Sequence, residues 1–327
     1  MNEPLISVLT PFRNTAPYLA SCIESVLSQT YSRFEYILSD NQSSDNSLEI
    51  AQTYARRDPR IRVIRQPCLI PQAPHYNQVL TEISPDSKYC KFAQADDTLF
   101  SDCLRLMAET FERFESVGLV SSYYLKGSIV KGSGFPYPKR VLPGKEAARF
   151  YLQTGNFVFG SVTTVMYRSS LVRDCQPFYR EDLLHEDTEK CMEILKQWDF
   201  GFIPQVLSFL RTDNVNESVT AGWRAWQPDA LDWYIIVHRF ADVFLEPAEA
   251  RELKLSAKRD YYHMLAAAAL KRRDAAFWEY HRKGLATLGQ TMNKPYIALL
   301  ASQRLLDMAA NPGHTLAHAC SRIRKTR

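Results

Sequence analysis

Apolar and polar positions alternate in blocks along the first two thirds of the chain. Short apolar runs, each typical of a buried strand, are followed by segments whose apolar residues recur at the spacing of one helix face, as at residues 19–27. The strand-like runs lie at residues 5–9, 34–38, 61–64, 89–95, 157–167 and 206–210. Strands that alternate with helices in this way predict an α/β fold with a mostly parallel sheet flanked by helices.

From about Trp223 onwards the pattern is helical, with residues 265–270 as the clearest core segment. Trp226, Trp233 and Phe240 recur at near-helical spacing. Such a stripe is more often core than interface, although contact with a second copy of the chain or with a membrane stays open. We therefore expect a sheet domain at residues 1–222 and a helical region at residues 223–327.

The composition is that of an ordinary globular protein, since 46% of the 327 residues are hydrophobic and 23% are charged. No apolar run approaches the roughly 20 residues that a membrane-spanning helix needs. The seven cysteines are scattered without a Cys-x-x-Cys pair, so neither a zinc site nor a disulfide framework is indicated. Because no basic segment precedes an apolar core at the amino terminus, we expect a cytoplasmic protein.

The basic excess is concentrated towards the C-terminus. The formal charge of +4 is too small to indicate a nucleic-acid partner, and we expect none. Residues 251–283 hold nine Lys or Arg against four acids, and residues 312–327 hold four against none. This distribution fits a peripheral contact with the inner face of an anionic membrane, and a solvated helix face followed by a frayed tail is the simpler explanation.

Two adjacent carboxylates, Asp96 and Asp97, follow the apolar run at residues 89–95. Charged side chains are rarely buried unless they are paired or bind a metal, and the carboxyl end of a parallel strand is where α/β sheets bind ligands. Carboxylate oxygens suit Mg²⁺ or Mn²⁺ shared with a phosphate. Acids at the start of the next helix explain the same pair without a metal, so the pair alone leaves both interpretations open.

Polar residues also follow the first two predicted strands. Because the carboxyl ends of parallel strands lie along one edge of a sheet, we expect these residues and the carboxylate pair to converge on one crevice. The residues concerned are Pro11, Arg13, Asn14, Asp40, Asn41, Asp96 and Asp97.

Several of these stretches carry a resemblance to a known family. They are residues 6–14 (ISVLTPFRN), 23–31 (IESVLSQTY) and 34–45 (FEYILSDNQSSD), followed by Asn77, by Ala95 with Asp96 and Asp97, by Glu186 with Asp187, and by Arg211 with Ser218. In order and spacing they resemble the family 2 glycosyltransferases, nucleotide-sugar-dependent enzymes with the Rossmann-like GT-A fold. The resemblance covers roughly residues 5–220 and leaves the helical C-terminal region uncovered.

The resemblance implies an inverting transfer of a sugar from a UDP- or dTDP-linked donor to a hydroxyl of a saccharide or lipid-linked acceptor, in surface-polysaccharide biosynthesis. It implies that Asp40 accepts a hydrogen bond from the base and that Asp96, with Asp97 beside it, holds a Mn²⁺ or Mg²⁺ ion on the diphosphate. The other residues that it assigns to the donor are Thr10, Pro11, Arg13, Asn14, Asn41, Asn77, Gln94, Ala95 and Arg211. A turn-forming role explains Asp40 as well.

For the acceptor, the resemblance implies that Asp187, with Glu186 as the second choice, takes the proton from the attacking hydroxyl. His185 and Asp213 are weaker candidates for the site. The acceptor side is assigned to Phe157, Gly160 and Ser161. An acidic first helical turn explains Glu186 and Asp187 without catalysis.

The chain departs from the family pattern at Gln94, which replaces the first acid of the Asp-x-Asp motif, and at Arg13, which replaces an aromatic residue. With fewer negative charges for a metal, a strict metal requirement stays open. A catalytically silent nucleotide-sugar-binding or assembly subunit is the alternative function. A nucleotidyltransferase is a third and weaker one, because no glycine-rich phosphate loop precedes the first helix. A homo-oligomer is compatible with the sequence.

Overall fold

The computed structural model describes residues 3–134, 140–181, 186–212 and 226–310. The chain forms two compact units, Met1–Asn216 and Glu217–Arg327. The domain boundary expected after residue 222 falls in residues 213–225, outside the described residues.

The first unit is built on one mixed sheet. Its strands are β1 (Leu5–Phe12), β2 (Phe34–Asp40), β3 (Ile61–Arg65), β4 (Ser87–Phe92), β5 (Thr98–Leu99), β6 (Val117–Lys126), β7 (Ile129–Lys131), β8 (Val141–Leu142), β9 (Met166–Arg168) and β10 (Asp199–Leu210). The order across the sheet is β3-β2-β1-β4-β9-β6-β10-β5, with β7 paired to β6 and β8 to β10. The β3-β2-β1-β4 set and the β6–β10 pair are parallel, whereas β9 runs antiparallel between β4 and β6.

Helices flank this sheet, as the alternating pattern predicts. They are α1 (Ala16–Leu27), α2 (Ser47–Ala55), α3 (Gln72–Leu80), α4 (Cys103–Arg113), α5 (Gly144–Thr154), α6 (Ser169–Arg173) and α7 (Glu186–Ile194). On α1 the residues at helical spacing, Leu19, Cys22, Ile23 and Val26, are all fully buried in the core with β1 and β2. Full burial of each large aliphatic side chain contributes about 1.5–3 kcal/mol, so this face holds α1 on the sheet.

The strand predicted over residues 157–167 is wrong for most of its length, because only Met166–Arg168 pairs in the sheet. The preceding residues fold into a turn instead. Gly160 has a φ of +72°, and the hydroxyl of Thr164 donates to the carbonyls of Phe159 and Ser161 over 2.6 and 2.7 Å. Threonine side chains that bond to nearby carbonyls in this way compete with the ladder of a strand.

The second unit contains α8 (Pro228–Phe244), α9 (Pro247–Leu270), α10 (Ala275–Ala286) and α11 (Lys294–Ala310) among its described residues. The ring of Tyr234 on α8 stacks on that of Tyr261 on α9, with 4.7 Å between the ring centres. The hydroxyl of Tyr261 lies 3.0 Å from Nδ1 of His281 on α10. The predicted core segment is confirmed by the burial of Leu265, Ala266 and Ala268, and in the aromatic stripe Phe240 is buried. None of the helices described is both long enough and apolar enough to cross a bilayer.

Candidate active site

The carboxyl ends of β1, β2 and β4 lie side by side, because β1 pairs in parallel with both of the other strands. Phe12 at the end of β1 is opposite Asp40 at the end of β2, and the amide of Ala93, just beyond β4, donates to the carbonyl of Leu9 over 2.9 Å. The polar segments that follow the three strands therefore meet at one edge of the sheet, where α/β folds bind ligands.

Thr10, Pro11 and Ala95 lie in the interior behind this edge. Thr10 is fully buried; its hydroxyl donates to the carbonyl of Ala93 over 2.6 Å and lies 2.9 Å from the hydroxyl of Tyr36. These contacts tie β1 to the segment that follows β4. The structure therefore gives Thr10 a role in shaping the edge from within.

Asn14 joins the loop after β1 to the loop after β2. Its backbone has a φ of +52°, in the left-handed region that asparagine tolerates better than most residues. The side-chain Oδ1 of Asn14 accepts from the backbone amide of Ser44 over 2.8 Å, and the backbone amide of Asn14 donates to the hydroxyl of Ser43 over 3.0 Å. Arg13, immediately before it, is half-buried in the same loop. Asn14 thus fixes the conformation of both loops.

Asp40 is a fully buried carboxylate at the centre of these loops. Its Oδ1 accepts from the amide of Ser43 over 3.0 Å, the contact of a turn-forming aspartate. Its Oδ2 lies 3.4 Å from Nε of the exposed Arg65 but accepts no hydrogen bond from the described residues. Buried carboxylate oxygens normally accept hydrogen bonds, so the turn accounts for one oxygen and leaves the other suited to a ligand N–H.

Asn41 and His75 support the same region from the side of β3. The amide group of Asn41 pairs with both backbone groups of Ile70, at 2.8 and 3.1 Å. Nε2 of the buried His75 lies 2.9 Å from the hydroxyl of Ser39, and burial lowers the pKa of His75 to about 4. Asn41 holds the loop between β3 and α3, and His75, which the sequence did not single out, is a neutral partner of Ser39, the residue before Asp40.

Asp97 points inward and joins three segments. It is buried, its Oδ2 accepts from the hydroxyl of Thr163 over 2.6 Å, and its Oδ1 accepts from the amide of Arg211 over 3.1 Å. Burial raises the pKa of Asp97, the charge of Asp96 raises it further, and the two hydrogen bonds oppose the rise. The carboxylate thus connects the turn after β4 with the segments that hold Thr163 and Arg211.

Asp96 is half-buried beside it, and Nε of Arg211 donates to the Asp96 carbonyl over 3.2 Å. Gln94 Nε2 donates to the hydroxyl of Tyr76 over 3.0 Å. Burial raises the pKa of Tyr76, and the charges of Glu186 and Asp96 add to the rise. Tyr76 is therefore bonded to the carboxylate turn and lies within reach of the charge of Glu186 at the start of α7, a placement that the sequence did not indicate.

The donor set at this turn fits a divalent ion shared with phosphate. Within residues 3–134, 140–181, 186–212 and 226–310, no three His, Cys, Asp or Glu side chains are grouped to hold a metal by themselves. Phosphate-site Mg²⁺ is bound by one or two carboxylates and completes its shell with phosphate oxygens and water. The half-exposed Asp96 meets this requirement better than Asp97, whose two oxygens both accept hydrogen bonds inside the protein.

Glu186 and Asp187 begin α7. Glu186 is buried, whereas Asp187 is half-buried and accepts from the amide of Thr188 over 2.7 Å. Burial and then the charge of Asp187 raise the pKa of Tyr124, on β6, to about 12. Acids in a first helical turn are stabilised by the helix dipole, so this position is compatible with both interpretations of the pair. The weaker candidates His185 and Asp213 lie outside the described residues.

Asn77 is bonded to the segment that leads towards α7. Its Oδ1 accepts from the amide of Tyr179 and its Nδ2 donates to the Tyr179 carbonyl, both over 2.8 Å, while Nδ2 also lies 3.1 Å from Glu181 Oε1. The structure therefore places Asn77 as a support for this segment.

The acceptor-side candidates lie on the turn that carries Thr163. Phe157 is half-buried and packs edge-on to Phe159, and the hydroxyl of Ser161 accepts from the amide of Thr163 over 3.3 Å. Gly160 is buried. This turn is bonded through Thr163 to Asp97 and, over 3.1 Å, to the amide of Gln94, so it is fixed to the carboxylate turn.

Comparison with known proteins agrees with this geometry. The family profile described as Glycosyl transferase family 2 matches residues 7–175, just over half of the chain. An uncharacterized glycosyltransferase of Haemophilus influenzae is 36% identical over 223 residues, which cover 67% of this chain and 83% of the relative. The chain spans 39%, 18% and 63% of the length of three other curated relatives, less than two thirds of each.

Two solved structures share the fold at 16% identity. S. aureus TarS (residues 1–349, with UDP-GlcNAc) superposes with a TM-score of 0.61 over 86% of this chain and 79% of its own. The mannosyltransferase PcManGT of Pyrobaculum calidifontis, with GDP-Man and Mn²⁺, superposes with a TM-score of 0.57 over 96% and 83%. The expected GT-A fold is thereby confirmed. This chain belongs to glycosyl transferase family 2.

Proposed function

We propose that this glycosyltransferase moves a sugar, with inversion, from a nucleotide-diphosphate sugar to a hydroxyl of a saccharide or lipid-linked acceptor in surface-polysaccharide biosynthesis. The observation that carries the donor half of the proposal is Asp40 Oδ2, a buried carboxylate oxygen without a hydrogen bond from the described residues, at the same sheet edge as Asp96. A carboxylate accepts from the imide N–H of uracil or thymine, as a UDP- or dTDP-linked donor requires, and it would accept equally from the N–H groups of guanine.

Asp96 is the residue proposed to hold a divalent ion. When bound, Mn²⁺ or Mg²⁺ neutralises charge on the diphosphate leaving group. The solved TarS and PcManGT structures contain UDP-GlcNAc and GDP-Man respectively, and the second contains Mn²⁺, which supports this class of donor and cofactor. Asp97 is proposed to fix the turn, through Thr163 and Arg211, so that Asp96 is held in place.

Asp187 is the proposed general base of the chemical step. As the acceptor oxygen forms a bond to the anomeric carbon, the bond from that carbon to the diphosphate oxygen breaks and the nucleoside diphosphate leaves with the electron pair. The acceptor proton passes to the Asp187 carboxylate, a half-buried group beside Tyr124 at the start of α7. Attack on the face opposite the leaving group inverts the anomeric configuration.

Release of nucleoside diphosphate from UDP-, dTDP- and GDP-sugars with Mn²⁺ tests the proposal. We expect turnover of one nucleotide class, and a rate lower by about 10²–10⁴-fold in Asp187→Asn with donor affinity retained. The exposed Asp260→Asn is the matched control. A protein that binds a donor and releases no product would instead be the catalytically silent subunit.

We also propose that the basic helical unit contacts the inner face of an anionic membrane, which would bring the enzyme to a lipid-linked acceptor. Nine Lys or Arg against four acids over residues 251–283 support this contact.

A further inference from the structure

The second unit has a cleft between α8 and α9 that the sugar-transfer chemistry does not use. It has a volume of about 340 Å³ and is lined by His238, Asp242, Pro247, Arg251, Lys254, Leu255 and Lys258. A water molecule occupies about 30 Å³ of liquid, so the cleft can hold a phosphate group together with its first ester substituents.

The basic residues of the cleft share one face of α9. Arg251, Lys254 and Lys258 are spaced by three and four residues, so their side chains project from the same side of the helix towards α8. Asp242 on α8 forms an ion pair with Lys254. With one acid against three bases and a neutral histidine, the lining keeps an excess of two positive charges.

His238 lines the same cleft. Its Nδ1 donates to the carbonyl of Tyr234 over 2.8 Å, so Nδ1 carries the proton of the neutral ring. Burial lowers the pKa of His238, and the hydrogen bond to the Tyr234 carbonyl opposes this. The charges of Lys254 and Lys258 lower the pKa as well, and that of Asp242 raises it.

The lining of the cleft also includes an exposed aliphatic side chain, since Leu255 is 59% exposed. Large exposed aliphatic side chains beside a basic pocket are the arrangement with which peripheral proteins enter the boundary between lipid headgroups and acyl chains. A free phosphate ion would use the bases and leave Leu255 in water.

We propose that the α8–α9 cleft binds the headgroup phosphate of an anionic phospholipid, with Leu255 entering the membrane interface beside it. The charge complementarity of Arg251, Lys254 and Lys258 with the phosphate selects this occupant. The proposal names the surface of the membrane contact proposed above and does not depend on sugar transfer, since lipid binding is measured without donor or acceptor.

The test is co-sedimentation of the full chain with vesicles of phosphatidylcholine, with and without 30% phosphatidylglycerol. We expect binding that needs phosphatidylglycerol and falls roughly 25-fold in the double variant Arg251→Gln/Lys258→Gln, at about 1 kcal/mol per basic residue. The control Lys126→Gln/Lys131→Gln removes the same charge from exposed positions of the first unit and should change binding by less than about threefold. Leu255→Ser should weaken binding with all charges retained.

Circular dichroism and the elution volume of each variant separate loss of binding from loss of the fold. Equal sedimentation of wild type and Arg251→Gln/Lys258→Gln would overturn the proposal. So would thermal stabilisation by inorganic phosphate without vesicle binding, which would identify a free-anion site. A change from dimer to monomer in Arg251→Gln/Lys258→Gln, with no vesicle binding by wild type, would assign the surface to a second copy of the chain. Failure of sugar turnover leaves each of these results unaffected.

Discussion

Replacing Thr163 by valine tests the connection on which the site geometry depends. Thr163 is fully buried; its hydroxyl donates to Asp97 Oδ2 over 2.6 Å and accepts from the amide of Gln94 over 3.1 Å. Valine keeps the shape of the side chain and removes both contacts. The change therefore measures hydrogen bonding with little change in packing volume.

The magnitude follows from the two bonds. A hydrogen bond to a charged group contributes about 1.5–3 kcal/mol, and one between neutral groups contributes about 0.5–1.5 kcal/mol. In Thr163→Val, Asp97 keeps only the hydrogen bond from the amide of Arg211. Burial raises the pKa of Asp97 to about 7, so we expect Thr163→Val to lower the free energy of unfolding by about 3 kcal/mol at pH 9, where this carboxylate is ionised. Thr163→Ser keeps the hydroxyl and loses one methyl group, so its cost should be nearer 1 kcal/mol.

Urea unfolding followed by circular dichroism gives these free energies. Thr53→Val is the matched control, because the Thr53 hydroxyl lies on an exposed helical turn, where it donates to the carbonyl of Glu49 over 2.8 Å and accepts from the exposed Arg56 over 2.9 Å. That variant should change the stability by less than about 0.5 kcal/mol. A loss below 1 kcal/mol in Thr163→Val, or equal losses in the valine and serine variants, would refute the bridging role of Thr163.

Two further predictions concern other parts of the chain. Burial lowers the pKa of His281 from 6.5 to about 4, so the unfolded state binds its proton first and this histidine's contribution to stability is lost as the pH falls from 6.5 towards 4. The contribution of His281 amounts to at most about 3 kcal/mol. In His281→Asn, the free energy of unfolding should therefore change less between pH 6.5 and 4 than it does in the wild type. Gly160→Ala should lower the free energy of unfolding by more than 2 kcal/mol, because φ is +72° and the new Cβ would lie 2.2 Å from the hydroxyl of Thr164. Gly155→Ala, with a φ of +67° and no described atom within 4 Å of the new Cβ, should cost about 1 kcal/mol, so equal losses would contradict the clash.

The sequence predicted the elements that depend on local pattern. The apolar spacing of α1 and the early strand runs identified buried faces, because burial on a helix or strand repeats with the period of that element. The meeting of Asp40 with Asn14 and Asp96 at one edge followed from parallel topology alone.

Directions of side chains at the site could not be predicted in the same way. Asp96 and Asp97 are neighbours in sequence, yet Asp97 turns inward because Thr163 and Arg211, which are distant in sequence, supply its donors. Asn77 likewise bonds to Tyr179. The turn before β9 was missed because its apolar, β-branched composition is that of a strand, and the bonds of the Thr164 hydroxyl decide otherwise.

The proposed nucleotide site is completed by Asp40 and by a divalent ion on Asp96. Calorimetric titration of UDP, dTDP and GDP, each with Mn²⁺ and with chelator, tests it most directly. We predict that one diphosphate binds at least tenfold more tightly with Mn²⁺, that Asp96→Asn removes this gain, and that Asp40→Asn weakens binding with and without metal. Equal affinities in wild type and both variants would contradict the account.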